Sequence, residues 1–515
     1  MPQEAEWKVL LVAVTGSFMV ILSQTIMNVA LPHIMTVFSV TADHAQLVIS
    51  AYMMATAIIT PAAAFLCDRF GTKKIYLISQ LAFLVGSILC GISWDVNSLI
   101  AFRMLQGFGG GLLVPITMTF LFNNVPPEDR GRAMAIFGIP MMLGPAIGPT
   151  LGGYLVDYWS WRLCFYVNIP MILLAIYLGI IWLEETPSTP TGFDFAGFTS
   201  AAIGFSAILF ALSYAPTWGW DDLRIIGLLA AGALSLIAWI IIELRVKLPM
   251  LDLRLFEIGG FSLSIGLTFI TTIGLFSAVF LIPLFLQNLR GLSAMHAGMM
   301  MIPSVLGAVV TMPISGRLYD RIGPRIPSII GLVIMFFSTL TLNTVDVTTP
   351  DMQLAWILFV RGLGMGFAMM PIMTYGLSAV PPKMTTQASS LLNVWRSVFA
   401  SLGIAIFATL LDHFQKTNYA VMAQTLTPDS IEAMRILSMA QVAGMQTGLS
   451  LEAARQAGIY LIYQFIMLKA SVTAFQMDYT ISAILIFISI FTAFLLPSRH
   501  FKQQQTGENS NPVPV

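Results

Sequence analysis

Gly138-Ile139-Pro140-Met141-Met142-Leu143-Gly144-Pro145-Ala146-Ile147-Gly148-Pro149-Thr150-Leu151-Gly152-Gly153 is an apolar segment loaded with glycine and proline. In water a helix of this composition is badly destabilised. In lipid, small residues let two helices touch backbone to backbone, and neighbouring groups satisfy what proline leaves open. Gly144, Gly148 and Gly152 recur every four residues and form one smooth stripe on one face. Such a face suits a helix that must rock or slide against its neighbour. It points to a membrane transporter with moving halves.

Composition agrees. Of 515 residues, 57% are hydrophobic and 10% charged, against roughly a quarter charged in soluble domains. A soluble protein this apolar would aggregate, whereas lipid solvates the surface of a polytopic membrane protein. The 25 basic and 25 acidic residues cancel, so no surface seeks nucleic acid. Cys67, Cys90 and Cys164 are scattered in apolar surroundings, without metal-ligand spacing or a disulfide framework. The first apolar run lacks a small-residue cleavage site and is long enough to span, so it reads as a retained first helix.

Runs of spanning length fall near 8–31, 47–66, 75–93, 98–121, 133–156 and 163–183. Two follow near 198–214 and 223–243, then six near 261–286, 297–317, 326–343, 353–378, 388–411 and 473–497. About fourteen spans put both termini on one side. Arg69, Lys73, Lys74, Arg130, Arg132, Arg245, Lys247, Arg254, Arg317, Arg321, Arg325 and Lys383 lie in the even-numbered connections. Short odd-numbered ones hold Arg162, Arg224 and Arg290, and Lys8, Arg499 and Lys502 accompany the termini. Both termini are therefore expected in the cytoplasm, with a cytoplasmic tail at 499–515. Segment 412–472 is too long for a turn. Helix starts at Asp429-Ser430 and Ser450-Leu451-Glu452, and the mixed stretch Gly458 to Phe475, suggest amphipathic helices on the outer membrane surface or a small lid.

The chain repeats itself. Asp68-Arg69-Phe70-Gly71 follows the span at 47–66, and Asp320-Arg321-Ile322-Gly323 follows the one at 297–317. Arg103 through Gly109 opens one span, and Arg361 through Gly366 sits correspondingly in another. The expected fold is all-α. It has two parallel six-helix repeats, at 1–190 and 251–498, with an inserted helix pair at 191–250.

These motifs, with Asn28-Val29-Ala30-Leu31-Pro32, Gly144-Pro145 through Gly153, Trp161-Arg162, Asn168-Ile169-Pro170 and Asp194-Phe195-Ala196-Gly197, carry a resemblance. The chain resembles fourteen-span drug:proton antiporters of the major facilitator superfamily, multidrug and lincomycin exporters among them. The resemblance covers nearly the whole chain except the tails and most of 412–472. It links Gly144, Pro145, Gly148, Gly152 and Gly153 to export. It implies that Asp68, with Arg69 and Gly71 in a tight turn, reaches the span start at Thr385-Thr386-Gln387 and latches the halves. The family usually has a basic residue where Thr72 stands; Lys73 or Lys74 is expected to substitute, pairing with Asp129.

The resemblance also gives Arg103 a part in proton coupling. Gln106 shares its helix face, and an arginine at this depth either pairs, lines water or snorkels outward. Arg361 and Arg396 raise the same question in the second half as candidate substrate contacts, with Gln24 and Asn28 in the first span. Exporters of this group often carry an aspartate before the Asn28 motif, whereas this chain reads Ser23-Gln24-Thr25. A neutral Gln24 cannot carry a proton. The remaining carriers are Asp157, Asp412 and Asp478, near outer span ends, and His33. Met and Phe, with 31 and 35 copies, suit a broad cavity but also any membrane interior. Trp218 and Trp220 fit an interfacial belt.

The reading is a secondary transporter, not an enzyme, in a bacterial inner membrane, exporting amphipathic compounds by alternating access. It needs no cofactor or metal, since the proton gradient supplies the energy. Lipids and a periplasmic adaptor are further candidate partners. No phosphate loop supports a primary pump, and no zinc pair or serine elbow supports a membrane enzyme. A sensor, or a lipid translocator without proton exchange, stays open because of Gln24.

Overall fold

The computed structural model describes residues 2–186, 192–246, 249–425, 434–435, 437–439, 441–442 and 450–498. It is built of helices, with no strand among the described residues. Fourteen helical segments are long and apolar enough to cross a membrane. The first repeat holds α1 (Pro2–Phe38), α2 (Ala42–Ile59), α3 (Ala63–Phe70), α4 (Thr72–Gly91), α5 (Val96–Asn124), α6 (Arg130–Tyr158), α7 (Leu163–Tyr166) and α8 (Ile169–Trp182). α2 and α3 together make the second span, and α7 and α8 the sixth. α9 (Phe195–Trp218) and α10 (Leu223–Arg245) are the inserted pair. The second repeat holds α11 (Gly259–Asn288), α12 (Ala294–Ile322), α13 (Arg325–Leu342), α14 (Asp351–Ser378), α15 (Thr385–Thr425) and α16 (Leu451–Ala493).

The repeat is visible in the turns. Gly71 joins α3 to α4 at φ 92, and Gly323 joins α12 to α13 at φ 85. Both are left-handed backbone conformations that glycine adopts without a Cβ penalty. The ends bearing these turns also bear Arg130, Arg132, Arg317, Arg321, Arg325 and Lys383, and form the basic end of the bundle.

The halves meet chiefly along α6 and α12. A Cβ on Gly131 would come 2.6 Å from the Gly316 carbonyl, so the two backbones touch. Gly153 and Gly298 continue this seam toward the opposite end, against Met295 and Thr150 respectively. α5 and α3 pack on α15, and α6 on α14, near the basic end. Here the Thr119 hydroxyl bonds that of Thr386 at 3.1 Å, and the Ser389 hydroxyl donates to the Pro115 carbonyl at 3.2 Å. Among the described residues, neither α1 with α11 nor α2 with α15 forms an extended contact. α9 packs on both α2 and α15 and bridges that side, with Phe205 edge-on to Trp395. Trp220 donates to Thr409 of α15 at 2.7 Å, so it ties the inserted pair to the second repeat as well as suiting an interfacial belt. α10 packs mainly on α9 and is the most peripheral span.

The expectation for 412–472 is corrected where it can be followed. α15 runs unbroken for 41 residues and α16 for 43, each about 60 Å long. Both outlast a bilayer core of about 30 Å. Residues 412–425 and 451–472 therefore extend the last two spans instead of forming separate surface helices. Ser450 does cap α16, its hydroxyl accepting from the Ala453 N–H at 3.3 Å. The start at Asp429-Ser430, and the tail at 499–515, lie outside the described residues.

Candidate functional site

Arg103 lies eight residues into α5, a helix started by a reciprocal cap between Asp95 and Ser98. The Ser98 hydroxyl and N–H hold the Asp95 carboxyl below the usual range. Past Arg103, the glycines of α5 let its neighbours close in. A Cβ on Gly107 would stand 2.6 Å from the Tyr52 carbonyl of α2. Gly86 of α4 likewise lets that helix close to the Gln106 backbone. This close packing delivers the partners of Arg103, which is fully buried. Its Nε donates to the Val48 carbonyl at 3.2 Å, and Nη1 to the Ser23 hydroxyl at 3.2 Å and to Gln106 Oε1 at 2.7 Å. Gln106 Nε2 donates to Ser87 at 2.7 Å, and the guanidinium lies over the Tyr52 ring at 4.3 Å. Of the alternatives open in the sequence, snorkelling to the surface is not what the structure shows. Every named acceptor is neutral.

Arg361 of α14 mirrors it. Also buried, it donates to Thr339 of α13 at 3.3 Å and to the Leu275 carbonyl of α11 at 3.4 Å. Ser23 and Leu275, Ser87 and Thr339, and Asp68 and Asp320 share one sequence offset, so the two sites are copies of one scaffold. Arg396 lies on α15 about 16 Å from its basic end and keeps accessible surface among its neighbours.

Gln24 and Asn28 fall on the face of α1 opposite the packed residues Leu22, Ser23, Ile26, Met27 and Ala30. Gln24 is half-buried and Asn28 exposed. The glycine stripe meets α1 on a flank. Gly144 lies against Ile21, Gly148 against Thr25 and Gly152 against Ile26, and the Thr25 hydroxyl donates to the Gly144 carbonyl at 3.0 Å. α6 remains helical through Pro140, Pro145 and Pro149. Gly153 turns the other way, toward Met295 of α12. The stripe thus fixes α6 to α1 within the first repeat, leaving another face for the seam with α12.

The turns bring together different residues from those expected. Asp68 is half-buried and makes no hydrogen bond among the described residues, while Thr386 is occupied by Thr119. Its counterpart Asp320 makes the cross-half contact instead. Asp320 Oδ1 accepts from Gly131 N–H at 2.8 Å and Oδ2 from Arg132 N–H at 3.0 Å, at the start of α6. A carboxylate on the N–H groups of a helix start is favourable for hydrogen bonding and dipole alike. Asp129, the residue flanking that start, is exposed and forms no side-chain cap. Nor does it pair with Lys73 or Lys74. Lys73 Nζ donates to the carbonyls of Ile180 and Leu183. The N–H groups of Lys73 and Lys74 donate to Glu185, at 3.1 and 3.2 Å. Glu185 sits on Gly71 and caps α4. Sequence reading missed Glu185 because it comes from beyond the sixth span.

Burial separates the remaining candidate proton carriers. Asp157, His33 and Asp412 are exposed, and Asp412 pairs with Lys416 at 2.6 Å. Asp478 of α16 is fully buried, with neither oxygen hydrogen-bonded among the described residues. No cluster of three or more metal-ligating side chains occurs among those residues.

Two helical repeats about a shared seam meet an equally extensive sequence match. Residues 13–404 match the profile of the Major Facilitator Superfamily. The chain belongs to this superfamily. It is 34% identical to the uncharacterized MFS-type transporter YhcA of Bacillus subtilis, over 82% of this chain and 79% of that protein. It is 33% identical to the multidrug resistance protein B homolog of Mycobacterium tuberculosis H37Rv, over 81% and 79%. The crystal structure of the human organic anion transporter MFSD10 superposes with a TM-score of 0.56, covering 93% of this chain and 99% of that one. At 13% identity that likeness shows the fold alone. This superfamily member is a multi-pass membrane transporter and not an enzyme.

Proposed function

We propose that this transporter exports drugs or other amphipathic compounds from the bacterial cytoplasm by alternating access, in exchange for protons. One observation carries the reading. The halves are joined at the basic end through α5, α3 and α15, while α1 and α11 form no extended contact. With positive residues on the cytoplasmic side, a join at that end supports an arrangement open to the outside. Gln24, Asn28 and Arg396 retain accessible surface on helices next to this gap and are the proposed substrate contacts. Gln24 and Asn28 supply hydrogen bonds, and Arg396 favours an anionic or polar substituent.

Resistance-named relatives support drug cargo, and the stripe at Gly144, Gly148 and Gly152, with Pro145, supports export. Asp320 on the start of α6 is the proposed cytoplasmic latch, in the role first expected of Asp68. The proton gradient is the proposed energy source, with no cofactor. One charge moving inward releases about 2.3 kcal/mol per 100 mV, about fifty-fold in concentration. Bilayer lipid is the surrounding partner. The ends of α15 and α16 beyond the membrane are where a periplasmic adaptor would dock.

The test is uptake of a lipophilic cation into inside-out vesicles, with and without an imposed pH gradient, beside an Arg103→Ala control. Uptake that collapses with the gradient is expected. Gradient-independent movement would favour the lipid-translocator reading that Gln24 leaves open.

A further inference from the structure

The acid missing from the first span has a buried counterpart in the last. Asp478 has no accessible surface, and both of its carboxylate oxygens lack a hydrogen bond among the described residues. Its helix packs against α11, α13 and α15. α11 carries no ionisable side chain, and α13 carries Arg325, at the basic end and bonded to the Leu496 carbonyl. α15 carries Arg396 toward the basic end, and Asp412, His413, Lys416 and Tyr419 toward the other. α16 itself carries Glu452, Arg455, Tyr460, Tyr463 and Lys469 toward its outer end, and Tyr479, which is buried and within electrostatic reach of both Asp478 and Arg361. Asp478 therefore has no ion-pair partner among the described residues. A carboxylate without hydrogen bond or countercharge is stable in such a site only with a proton on it.

A polar track leads from this acid to the second arginine. One turn along α16, the Ser482 hydroxyl meets that of Ser277 at 2.6 Å and donates to the Gly274 carbonyl at 2.9 Å. The next carbonyl of α11, Leu275, is the one bonded by Arg361. Ser482 and Ser277 thus join α16 to α11 one turn from Asp478, and Arg361 of α14 bonds α11 at the adjoining carbonyl. The first repeat's arginine contacts neutral acceptors and has nothing comparable.

We infer that Asp478 is the proton-binding group of this transporter. The inference rests on the proton-exchange reading above and names its carrier. In the arrangement seen here, with Asp478 sealed from water, the acid holds its proton. When α11 and α16 shift, water or the Arg361 side reaches it, the carboxyl releases H+ and the carboxylate is left facing charge or solvent. No other bond changes.

The test uses purified full-length protein and vesicles, with a fluorescent lipophilic cation as probe. In wild type, probe affinity in detergent is expected to weaken by up to about tenfold for each unit fall in pH, as protons compete for a linked site. Asp478→Asn should bind the probe with affinity independent of pH, and lose gradient-driven uptake by at least about tenfold. Asp478→Glu should retain a pH-dependent affinity. A merely structural role would alter folding or uptake while leaving the pH slope of the surviving protein intact, and that result overturns the inference. A wild type lacking any pH slope or gradient dependence would sink proton exchange itself. A coupled wild type with an equally coupled Asp478→Asn would sink only the assignment of Asp478.

Discussion

Arg103 and Arg361 occupy matching positions in the two repeats, but their surroundings differ. Both bond a group on the first helix of the repeat, the Ser23 hydroxyl in one and the Leu275 carbonyl in the other. Both are tied to a hydroxyl on the third, Ser87 through Gln106 and Thr339 directly. Gln106 then supplies Arg103 with a short neutral bond, whereas the matching segment of α14 has glycine at 362, 364 and 366. Around Arg103 the hydrogen bonds are denser and no acid is near, which makes a fixed node. Around Arg361 the bonds are longer and an unpartnered acid lies one helix away, which leaves room for a change of charge. Duplication supplied the scaffold, and the two copies use it for different tasks.

The largest effect is expected where the copies touch. Gly316→Leu would drive a branched side chain into the Gly131 carbonyl, 2.5 Å from the Cβ position. Overpacking of about 1–3 kcal/mol should force α6 from α12 and reduce transport more than about tenfold in the vesicle assay. Retained transport would show that this seam opens freely. Next come the arginines. Arg103→Ala strands Gln106 and Ser23 and should cost about 1–3 kcal/mol, read as a lower melting temperature in detergent. Arg361→Ala, losing bonds of 3.3 and 3.4 Å, should cost less stability but more coupling. Equal losses of stability would break the contrast drawn above.

The two turns give a smaller difference. Asp320→Asn removes a charge from the start of α6 and should weaken closure of the basic end by about 1 kcal/mol. Asp68→Asn should change closure less, because Asp68 makes no such bond here. Labelling of cysteines placed along the closed end would rank the two, and an equal or larger effect at Asp68 would reverse the assignment of the latch. The smallest effect is expected at Asp222, outside the spans, where Arg224 holds the carboxyl down to about 2. A depressed value makes any stabilisation present above the unfolded value of about 3.9 and lost as pH falls toward 2. Because the Asp222–Arg224 pair lies at the surface and is screened by solvent, Asp222→Asn should lower the melting temperature only slightly at neutral pH. It should also lack whatever slope wild type shows below about pH 4.

Much of the fold was legible because bilayer thickness imposes span length on any sequence. Fourteen apolar runs became fourteen spans, and Asp68 to Gly71 and Asp320 to Gly323 announced the repeat. The glycine stripe could be placed on one helix face, but periodicity alone could not say that the face meets α1. Helix capping was legible at Ser450, where donor and acceptor are three residues apart. It was illegible at Glu185 and Asp320, whose partners are far away in the chain. Asp129, expected to pair with Lys73 or Lys74, stays exposed, while a residue from the other half caps the helix that follows it.

By itself the sequence determined that this chain spans a membrane about fourteen times, in two repeats with an inserted pair, and belongs among transporters. Hydropathy and motif order suffice for that, since each depends on residues close together along the chain. Only the tertiary structure decided which end of the bundle is joined, which of the two turn aspartates reaches across, and which acid is sealed from water. Those outcomes depend on what surrounds a side chain in space. Asp157, Asp412 and Asp478 look alike as letters near span ends, and burial alone sets Asp478 apart.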